Sequence, residues 1–317
     1  MKNEKKILGI DLGGTFIKGG LIDSLGNILI DDKIPTECEK GIEKVAENIA
    51  NLSKKIMSVS KVSPDEVIGI GIGVPGMIDA QNGTVIVSEN LSMYDFDIRS
   101  RVEKMTGLPV KIANDANVAA LGEARFGCGK RYQTTVLLTL GTGVGGGIVI
   151  NGKLYEGNRS AGAELGHSVI VAGGEKCSCG RRGCLEAYAS ATALIRETKK
   201  AMSENPDSLM WQIGGIDRVD GKTAFDYKAK DAAAAKVVDE YIEKLAAGIT
   251  NIANDLRPEA IIIGGGVSNQ GAFLTEPLQK IVDAEIYGGN AGPKVEILTA
   301  ELGNKAGLLG AGALWID

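Results

Sequence analysis

The chain has 317 residues, of which 44 are glycine, 5 are cysteine and one is histidine. Hydrophobic residues make up 44% of the chain and the glycines follow no three-residue period, so collagen-like and low-complexity disordered proteins are excluded. The formal net charge of −5, from 35 basic and 40 acidic residues, argues against broad nucleic-acid binding, which needs a basic surface.

The sequence predicts a cytoplasmic protein without a membrane partner. Asp11 interrupts the apolar stretch that follows the charged N-terminal residues, so no signal peptide is predicted. The uncharged run 132–152 is long enough to span a bilayer, but its central glycines and threonines favour a buried strand, turn and strand. An odd number of cysteines in a chain of this length is not typical of a secreted disulfide scaffold.

Apolar runs and helical periodicity alternate along the first half of the chain. Strands are predicted at 7–10, 16–22, near Ile28, at 67–74 and at 110–113. Apolar residues recur every three or four positions over 41–59, which predicts an amphipathic helix. A second helix is predicted from Asn114 to about Phe126, with Asn114 or Asp115 as its N-cap.

The second half of the chain repeats this alternation. Strands are predicted at 136–140, 146–150 and 260–263, a long helix at 231–256, and a last helix at about 305–316. Strands that alternate with helices indicate the α/β class. Because no linker rich in proline or serine separates the halves, we expect them to pack around a shared cleft.

A short internal match indicates a duplicated strand–turn–strand unit. At an offset of 127 residues, Gly14 and Thr15 fall on Gly141 and Thr142, and Gly19 and Gly20 fall on Gly146 and Gly147. A chance match between two glycine-rich hairpins is the alternative.

Glycine-rich turns follow three apolar strands, at 11–15, 140–145 and 264–267. Such turns direct successive backbone N–H groups at one concavity, which suits phosphate oxygens. None fits the P-loop or Rossmann pattern, but three together suggest a bipartite nucleotide site. Asp11 could hold Mg²⁺ through water, and Thr15 and Thr142 could bond phosphate oxygens; the alternative for Asp11 is a turn-capping carboxylate.

Three of the five cysteines lie within eight residues, at Cys177, Cys179 and Cys184. Thiolates at this density favour zinc over a disulfide in a reducing compartment, and His167, ten residues upstream, supplies a fourth ligand. A reactive or buried thiol cluster is the alternative.

A zinc ion at these residues would hold Glu164, His167 and Glu186 near one another. Two carboxylates and an imidazole suit the vicinal hydroxyls of a sugar. Two surface glutamates with a capping role are the alternative.

Asn114 and Asp115 come directly after a predicted strand and begin a helix, where α/β proteins place their chemistry. A kinase of small alcohols needs a carboxylate that orients the hydroxyl and accepts its proton, so Asp115 is the candidate base. An ordinary N-cap is the alternative.

These motifs together resemble the ROK family of bacterial sugar kinases and repressors, and within it the glucokinases. The resemblance runs in order over essentially the whole chain, and it rests on the motifs at 11–15, 73–76, 114–117, 140–145, 164–167 and 177–186. It implies an actin/hexokinase-like fold of two α/β domains, built from duplicated ribonuclease-H-like units, with a central cleft. The domains implied are 1–114 plus 304–317, and 115–303 with the zinc loop.

The resemblance also implies ATP-dependent phosphorylation of a hexose 6-hydroxyl with Mg²⁺, by a homodimer or higher homo-oligomer. Asp115 would activate the hydroxyl. The implied sugar ligands are Gly76, Asn90, Asn114, Asp115, Glu164, His167 and Glu186. The implied nucleotide ligands are Asp11, Gly13, Gly14, Thr15, Lys18, Thr142, Gly143, Gly265 and Gly266. The implied ligands of a structural Zn²⁺ are His167, Cys177, Cys179 and Cys184.

The favoured acceptor is glucose, with N-acetylmannosamine next and fructose, mannose, allose or N-acetylglucosamine as further alternatives. ATP is preferred over polyphosphate as the donor. A non-catalytic, sugar-responsive regulator is the alternative of a different class. It is disfavoured because the first strand begins at Ile7, which leaves no room for a preceding helix-turn-helix.

Overall fold

The structure, a computed structural model, describes residues 5–316, apart from the side chain of Asn290. The strands are β1 (Lys6–Leu12), β2 (Phe16–Ile22), β3 (Ile28–Pro35), β4 (Val67–Val74), β5 (Met77–Asp79), β6 (Thr84–Ser88), β7 (Met93–Asp97), β8 (Val110–Asn114), β9 (Thr135–Leu140), β10 (Val144–Ile150), β11 (Lys153–Tyr155), β12 (Ala260–Gly264) and β13 (Glu296–Thr299). The helices are α1 (Ile42–Ser60), α2 (Ile98–Thr106), α3 (Asp115–Phe126), α4 (Glu186–Ala189), α5 (Ala191–Glu204), α6 (Thr223–Tyr227), α7 (Ala232–Leu256), α8 (Ala272–Glu285) and α9 (Ala306–Ala313).

The first large sheet has the strand order β3-β2-β1-β4-β8. Strands β1, β4 and β8 are parallel, while β2 and β3 are antiparallel neighbours on one side. Strands β1 and β4 are almost wholly buried, which is why their sequences are nearly continuous apolar runs. The parallel strands β4 and β8 end at Val74 and Asn114, so the residues that follow them lie at the same sheet edge.

The second large sheet has the order β11-β10-β9-β12-β13, and β9, β12 and β13 are parallel. Element by element this is the order of the first sheet, with β9 in the place of β1 and β12 in the place of β4. A duplicated unit predicts two sheets of one topology, so the strand orders support the internal match at an offset of 127 residues. A small third sheet, β5-β6-β7, follows β4 in the chain.

Two compact units are formed by the described residues. One contains 5–133, 147–163 and 301–316, and the other contains 134–146 and 164–300. These are groupings by spatial proximity, and the domain boundaries at 114/115 and 303/304 stay a prediction. Within residues 5–316, no helix combines the length and the apolar character that crossing a membrane requires.

Most of the predicted elements lie where the sequence placed them, with one difference at the first glycine turn. Strand β1 continues through Asp11 and Leu12, and Asp11 pairs in register with Lys18 of β2. The turn is therefore only Gly13–Thr15, shorter than the predicted 11–15. The last helix is also shorter than predicted and ends at Ala313.

Candidate active site

The first unit holds the glycine turn Gly13–Thr15, which we call the phosphate turn. The N–H of Gly13 donates to the carbonyl of Phe16 at 3.0 Å and closes the turn between β1 and β2. Gly13, Gly14 and Thr15 are exposed or half-buried, in contrast to the buried strands beside them. The backbone of Asn90 lies close to Gly14, since a Cβ on Gly14 would stand 3.6 Å from the carbonyl oxygen of Asn90.

Asp11 and Lys18 face each other at the base of this turn. The ammonium nitrogen of Lys18 lies 3.1 Å from Oδ2 of Asp11, and both side chains keep solvent-accessible surface. Gly307 of α9 packs against the Asp11 carboxylate, because a Cβ there would lie 2.9 Å from its Cγ. The pair thus places one anionic and one cationic group beside the phosphate turn.

Asn114 and Asp115 form the start of α3. Asn114 caps the helix, since its Oδ1 accepts from the N–H groups of Ala116 and Asn117 at 2.9 and 3.2 Å. Its Nδ2 donates to the carbonyl of Gly76 at 3.0 Å. The Asp115 carboxylate is exposed at the first helical position and accepts from the N–H of Ala116 at 2.9 Å.

The structure therefore assigns the N-cap to Asn114, and Asp115 is the exposed first residue of the helix. Gly76 has φ of 105°, and a Cβ on it would overlap the carbonyl oxygen of Val87 in β6. Only glycine fits this position, so the Gly76 carbonyl is held where Asn114 reaches it. Asn90, between β6 and β7, has an exposed side chain.

The second unit brings its two glycine turns into contact. Gly265 follows β12 with φ of 81°, and a Cβ there would overlap the backbone of Leu140 at the end of β9. Leu140 begins the second turn, which contains Thr142 and Gly143. The carbonyl of Thr142 accepts from Thr192 Oγ1 at 2.8 Å, while Gly266 has open space around its Cα.

Glu186, the first residue of α4, links the second turn to the cysteine loop. Its Oε2 accepts from the N–H of Val144 at 3.1 Å, and its Oε1 accepts from Ser178 Oγ at 2.5 Å and from Cys177 Sγ at 3.5 Å. A Cβ on Gly143 would overlap the carboxylate. Burial acts to raise the pKa of Glu186, but these hydrogen bonds outweigh it and lower the pKa below its usual range.

Four soft donors converge beside Glu186. The ligand atoms of His167, Cys177, Cys179 and Cys184 all lie within 4.8 Å of one another. Cys179 and Cys184 have their sulfurs 3.8 Å apart, and Nδ1 of His167 lies 3.5 Å from the sulfur of Cys177. Burial, followed by the neighbouring thiols, raises the pKa of Cys184 to about 12.

Glu164 and His167 bracket a single turn of 3₁₀ helix, Leu165–His167. The N–H of His167 donates to the carbonyl of Glu164 at 3.0 Å, and the Glu164 side chain is exposed. The ring nitrogen of His167 that faces the sulfur of Cys177 is Nδ1. The second unit thus connects Glu186, His167 and the glycine turn at Gly143 through direct contacts.

Sequence reasoning missed two residues that support this arrangement. Ser178 lies between two of the cysteines and donates to Glu186, and Arg181 donates to the carbonyl of His167 at 3.1 Å. Both residues lie inside the cysteine motif, and this position is the only feature of the sequence that could have identified them.

A sequence model of the ROK family matches residues 7–317 of the chain. The chain is 39% identical to a glucokinase of Halalkalibacterium halodurans, over 98% of this chain and 95% of that protein. It is also 30% identical to a xylose repressor of Caldicellulosiruptor bescii, over 100% of this chain and 79% of the repressor.

Solved structures give the same result. A ROK glucokinase from Streptomyces griseus, in complex with glucose and AMPPNP, has a TM-score of 0.79 and 35% identity, with 98% of both chains covered. A ROK hexokinase from Thermus thermophilus has a TM-score of 0.83 and 34% identity, over 97% of this chain and 96% of that one. These neighbours confirm the predicted actin/hexokinase-like α/β fold, and the family match confirms the predicted resemblance: the chain belongs to the ROK family.

Proposed function

We propose that this protein is a glucokinase that transfers the terminal phosphoryl group of ATP to the 6-hydroxyl of glucose. The observation that carries the proposal is the start of α3, where Asn114 takes the capping role and leaves the Asp115 carboxylate exposed. The S. griseus relative binds glucose together with AMPPNP, an analogue of ATP, which supports both substrates.

In this reaction Asp115 is the general base. Its carboxylate orients the sugar 6-hydroxyl and accepts the proton as the oxygen attacks the phosphorus. The new O–P bond forms while the bond between the phosphoryl group and ADP breaks, so the products are glucose 6-phosphate and ADP. Asn114, held by Gly76, would bond a neighbouring sugar hydroxyl.

We propose that the remaining sugar contacts come from Asn90, Glu164, His167 and Glu186, together with the Gly76 turn. Oε1 of Glu186 accepts from Ser178 and Cys177, whereas Oε2 accepts from the N–H of Val144, and we propose that Oε2 takes a sugar hydroxyl as its second donor. His167 would offer Nε2 to a hydroxyl while Nδ1 faces the cysteines.

For the nucleotide, we propose phosphate contacts from Gly13, Gly14, Thr15 and Lys18 and from Thr142 and Gly143. Gly265 and Gly266 would approach the adenosine, since Gly266 has open space beside it. Mg²⁺, when bound, would neutralise the phosphate charge, and Asp11 is the carboxylate placed to hold it through water. The Lys18 ammonium lies 3.1 Å from Oδ2 of Asp11 and would contribute a positive charge beside the phosphates.

The four donors near Glu186 fit a structural Zn²⁺. At a Zn–S distance of about 2.3 Å, tetrahedral geometry places two sulfurs about 3.8 Å apart. With a Zn–N distance of about 2.0 Å, a nitrogen and a sulfur lie about 3.5 Å apart. The sulfurs of Cys179 and Cys184 are 3.8 Å apart, and His167 Nδ1 and Cys177 Sγ are 3.5 Å apart. Four protein ligands would close the coordination shell, so this ion would shape the loop without entering the chemistry.

We also propose the domain boundaries at 114/115 and 303/304, a cytoplasmic location and, from the family resemblance, a homodimer or higher homo-oligomer. N-acetylmannosamine remains the second acceptor to test. A sugar-responsive regulator is the second function, which the 30% identity to a xylose repressor favours.

The decisive experiment is a coupled ADP-release assay of the purified protein with a panel of hexoses, with D-xylose as a non-hexose. We expect turnover with glucose above that with N-acetylmannosamine, mannose, fructose, allose and N-acetylglucosamine. The variant Asp115→Asn should lose about 100-fold or more in kcat, the usual contribution of a general base, while glucose still binds.

Asp239→Asn is the matched control. Asp239 is an exposed carboxylate of α7 that pairs only with Lys228 among the contacts of the described residues, so the same change there should leave kcat intact. Turnover of Asp115→Asn close to that of the wild type would disprove the role of Asp115, and no turnover with any hexose would favour the regulator.

A further inference from the structure

The three carbonyl groups of the phosphate turn all accept hydrogen bonds from one short segment that follows β3. Gly13 O accepts from Thr36 Oγ1 at 2.6 Å, and Gly14 O accepts from Cys38 Sγ at 3.3 Å. Thr15 O accepts from the N–H of Thr36 at 2.9 Å. Thr36 therefore contacts both ends of the turn, and Cys38 contacts its centre.

These bonds determine where the N–H groups of the turn point. In a trans peptide the carbonyl of one residue and the N–H of the next are antiparallel. The described residues contain no cis peptide bond, so a Gly13 carbonyl directed at Thr36 sends the N–H of Gly14 the opposite way. The Gly14 carbonyl, directed at Cys38, does the same for the N–H of Thr15. The N–H groups of Gly14 and Thr15 therefore both lie on the side of the turn away from the 36–38 segment. Two neighbouring N–H donors of this kind suit an anion.

Thr36 is itself held in place by α1. Its side chain is fully buried, and its carbonyl accepts from Nδ2 of the buried Asn48 at 3.3 Å. The same amide nitrogen lies 3.5 Å from the carbonyl of Pro35. A chain of hydrogen bonds therefore runs from the α1 helix through Thr36 to the phosphate turn.

We propose that Thr36 is a positioning residue for nucleotide binding, with Cys38 in a weaker supporting role. Thr36 acts by holding the Gly13 carbonyl so that the N–H of Gly14 faces the phosphates of ATP, and its bond to the Thr15 carbonyl fixes the end of the turn. Cys38 holds the Gly14 carbonyl and so directs the N–H of Thr15 to the same side. This inference rests on the proposed function only in naming ATP as the ligand. The thiol of Cys38 is a weak donor, so its share in holding the turn is smaller.

The test compares Thr36→Val, which keeps the shape and removes the hydroxyl, with Thr36→Ser, which keeps the hydroxyl. Loss of one hydrogen bond costs about 1 kcal/mol, so Thr36→Val should raise the KM for ATP by about fivefold to tenfold. The KM for glucose should stay within about twofold of the wild type, because one hydrogen bond to the phosphate turn leaves the sugar ligands untouched. Thr36→Ser should retain most of the wild-type affinity for ATP.

Thr198→Val is the matched control for the loss of a buried hydroxyl. Thr198 is fully buried in α5, and its Oγ1 donates to the carbonyl of Leu194 at 2.7 Å. The same substitution there removes a similar bond in the second unit, so it should lower the Tm without changing the KM for ATP. Equal changes in the KM for ATP in Thr36→Val and Thr198→Val would overturn the proposal, as would equal increases in the KM values for ATP and glucose.

Cys38→Ala gives an independent measurement should Thr36→Val fold poorly. Cys38 is partly exposed, and its change removes only the donor to the Gly14 carbonyl, so the KM for ATP should rise by about twofold to threefold. An unchanged KM for ATP in both Cys38→Ala and Thr36→Val would refute the positioning role.

Calorimetric titration with AMPPNP separates this inference from the proposed function. The wild type should bind AMPPNP more tightly than Thr36→Val by the same factor as the change in KM, with no sugar present. A wild type that binds AMPPNP more tightly than Thr36→Val but phosphorylates no hexose would contradict the proposed function and leave the role of Thr36 supported. A wild type that phosphorylates glucose beside a Thr36→Val variant with unchanged AMPPNP affinity would refute only the role of Thr36.

Discussion

At the scale of single residues, Glu186 connects two features that the sequence presents as separate motifs. One oxygen of its carboxylate accepts from Val144 in the second glycine turn, and the other accepts from Ser178 in the cysteine loop. A metal ion on the cysteines would therefore fix the loop that orients Glu186 and His167. The cysteine motif predicts that Glu186 and the four zinc ligands belong to one site. It does not predict the hydrogen bonds from Val144 and Ser178 to Glu186, because these depend on how the chain folds back and not on the spacing of the residues in the sequence.

The variant Cys179→Ser tests this connection. Cys179 is the exposed member of the four donors, so its replacement removes a thiolate without opening a hole in the core. We expect the zinc content to fall from about one ion per chain, the number a closed tetrahedral site takes, and glucose affinity to fall with it because His167 is no longer fixed. Metal analysis and calorimetric titration with glucose measure the two quantities.

Cys128→Ser is the control for a lost thiol. Cys128 lies outside the cluster and donates to Glu123, so zinc content should be unchanged there. A Cys179→Ser protein that lacks metal but binds glucose normally would show that the loop is independent of the sugar ligands.

At the scale of secondary-structure elements, the sequence predicts helices α1, α3, α7 and α9 and most strands of the two large sheets, but it misses two 14-residue helices, α5 and α8. Helices α1 and α7 have buried apolar residues every three or four positions, and strands β1 and β4 are nearly continuous apolar runs; both patterns are local signals. Also missed are helices α2, α4 and α6 and strands β5, β6, β7, β11 and β13; these strands have three to five residues each. Strands this short are stabilised by pairing with a neighbouring strand. Too few residues are present for a hydrophobic periodicity that would identify the strand in the sequence.

The packing of α3 against α9 is a second feature that the sequence could not predict. The two helices approach so closely that a Cβ on Gly310 would overlap the carbonyl oxygen of Val118, and a Cβ on Gly122 would lie 2.5 Å from the carbonyl of Ala306. The glycine and alanine content of α9 predicts a helix of small residues but not its partner. Because Asp115 is the first residue of α3, this contact also holds the proposed base.

Gly310→Ala should therefore destabilise the protein although alanine favours a helix more than glycine does. The overlap with Val118 forces the helices apart, at a cost of about 1–3 kcal/mol for overpacking, which exceeds the gain in helix propensity of about 1 kcal/mol. We expect a Tm lowered by a few degrees in a thermal melt. Gly221→Ala is the control, because a Cβ there meets only Ala191 at 3.7 Å. An unchanged or raised Tm for Gly310→Ala would show that α9 yields without cost.

At the scale of the whole molecule, the matching glycine turns are explained by a duplication. The two large sheets share one strand order, and the glycine turns at Gly13–Thr15 and Gly141–Gly143 occupy equivalent places in them, between the first and second strands of each unit. The offset of 127 residues predicts this equivalence from the sequence alone. A duplicated unit with a glycine turn in each copy accounts for why the glycine motif recurs in the second half of the chain.

The stability of the folded protein depends on which sugar it binds, because a ligand that binds only the folded state raises the free energy of unfolding. A ligand at about 100 times its Kd adds about 2.7 kcal/mol to the free energy of unfolding, and the Tm rises accordingly. A kinase acting on the 6-hydroxyl should gain more from glucose than from D-xylose at equal concentration, since D-xylose has no carbon 6 and no hydroxyl for Asp115. Thermal melts with each sugar give the increase in Tm. The coupled assay gives the turnover, with one ADP released for each glucose 6-phosphate formed. A larger Tm increase with D-xylose and no ADP release with glucose would identify a sugar-responsive regulator on the same fold.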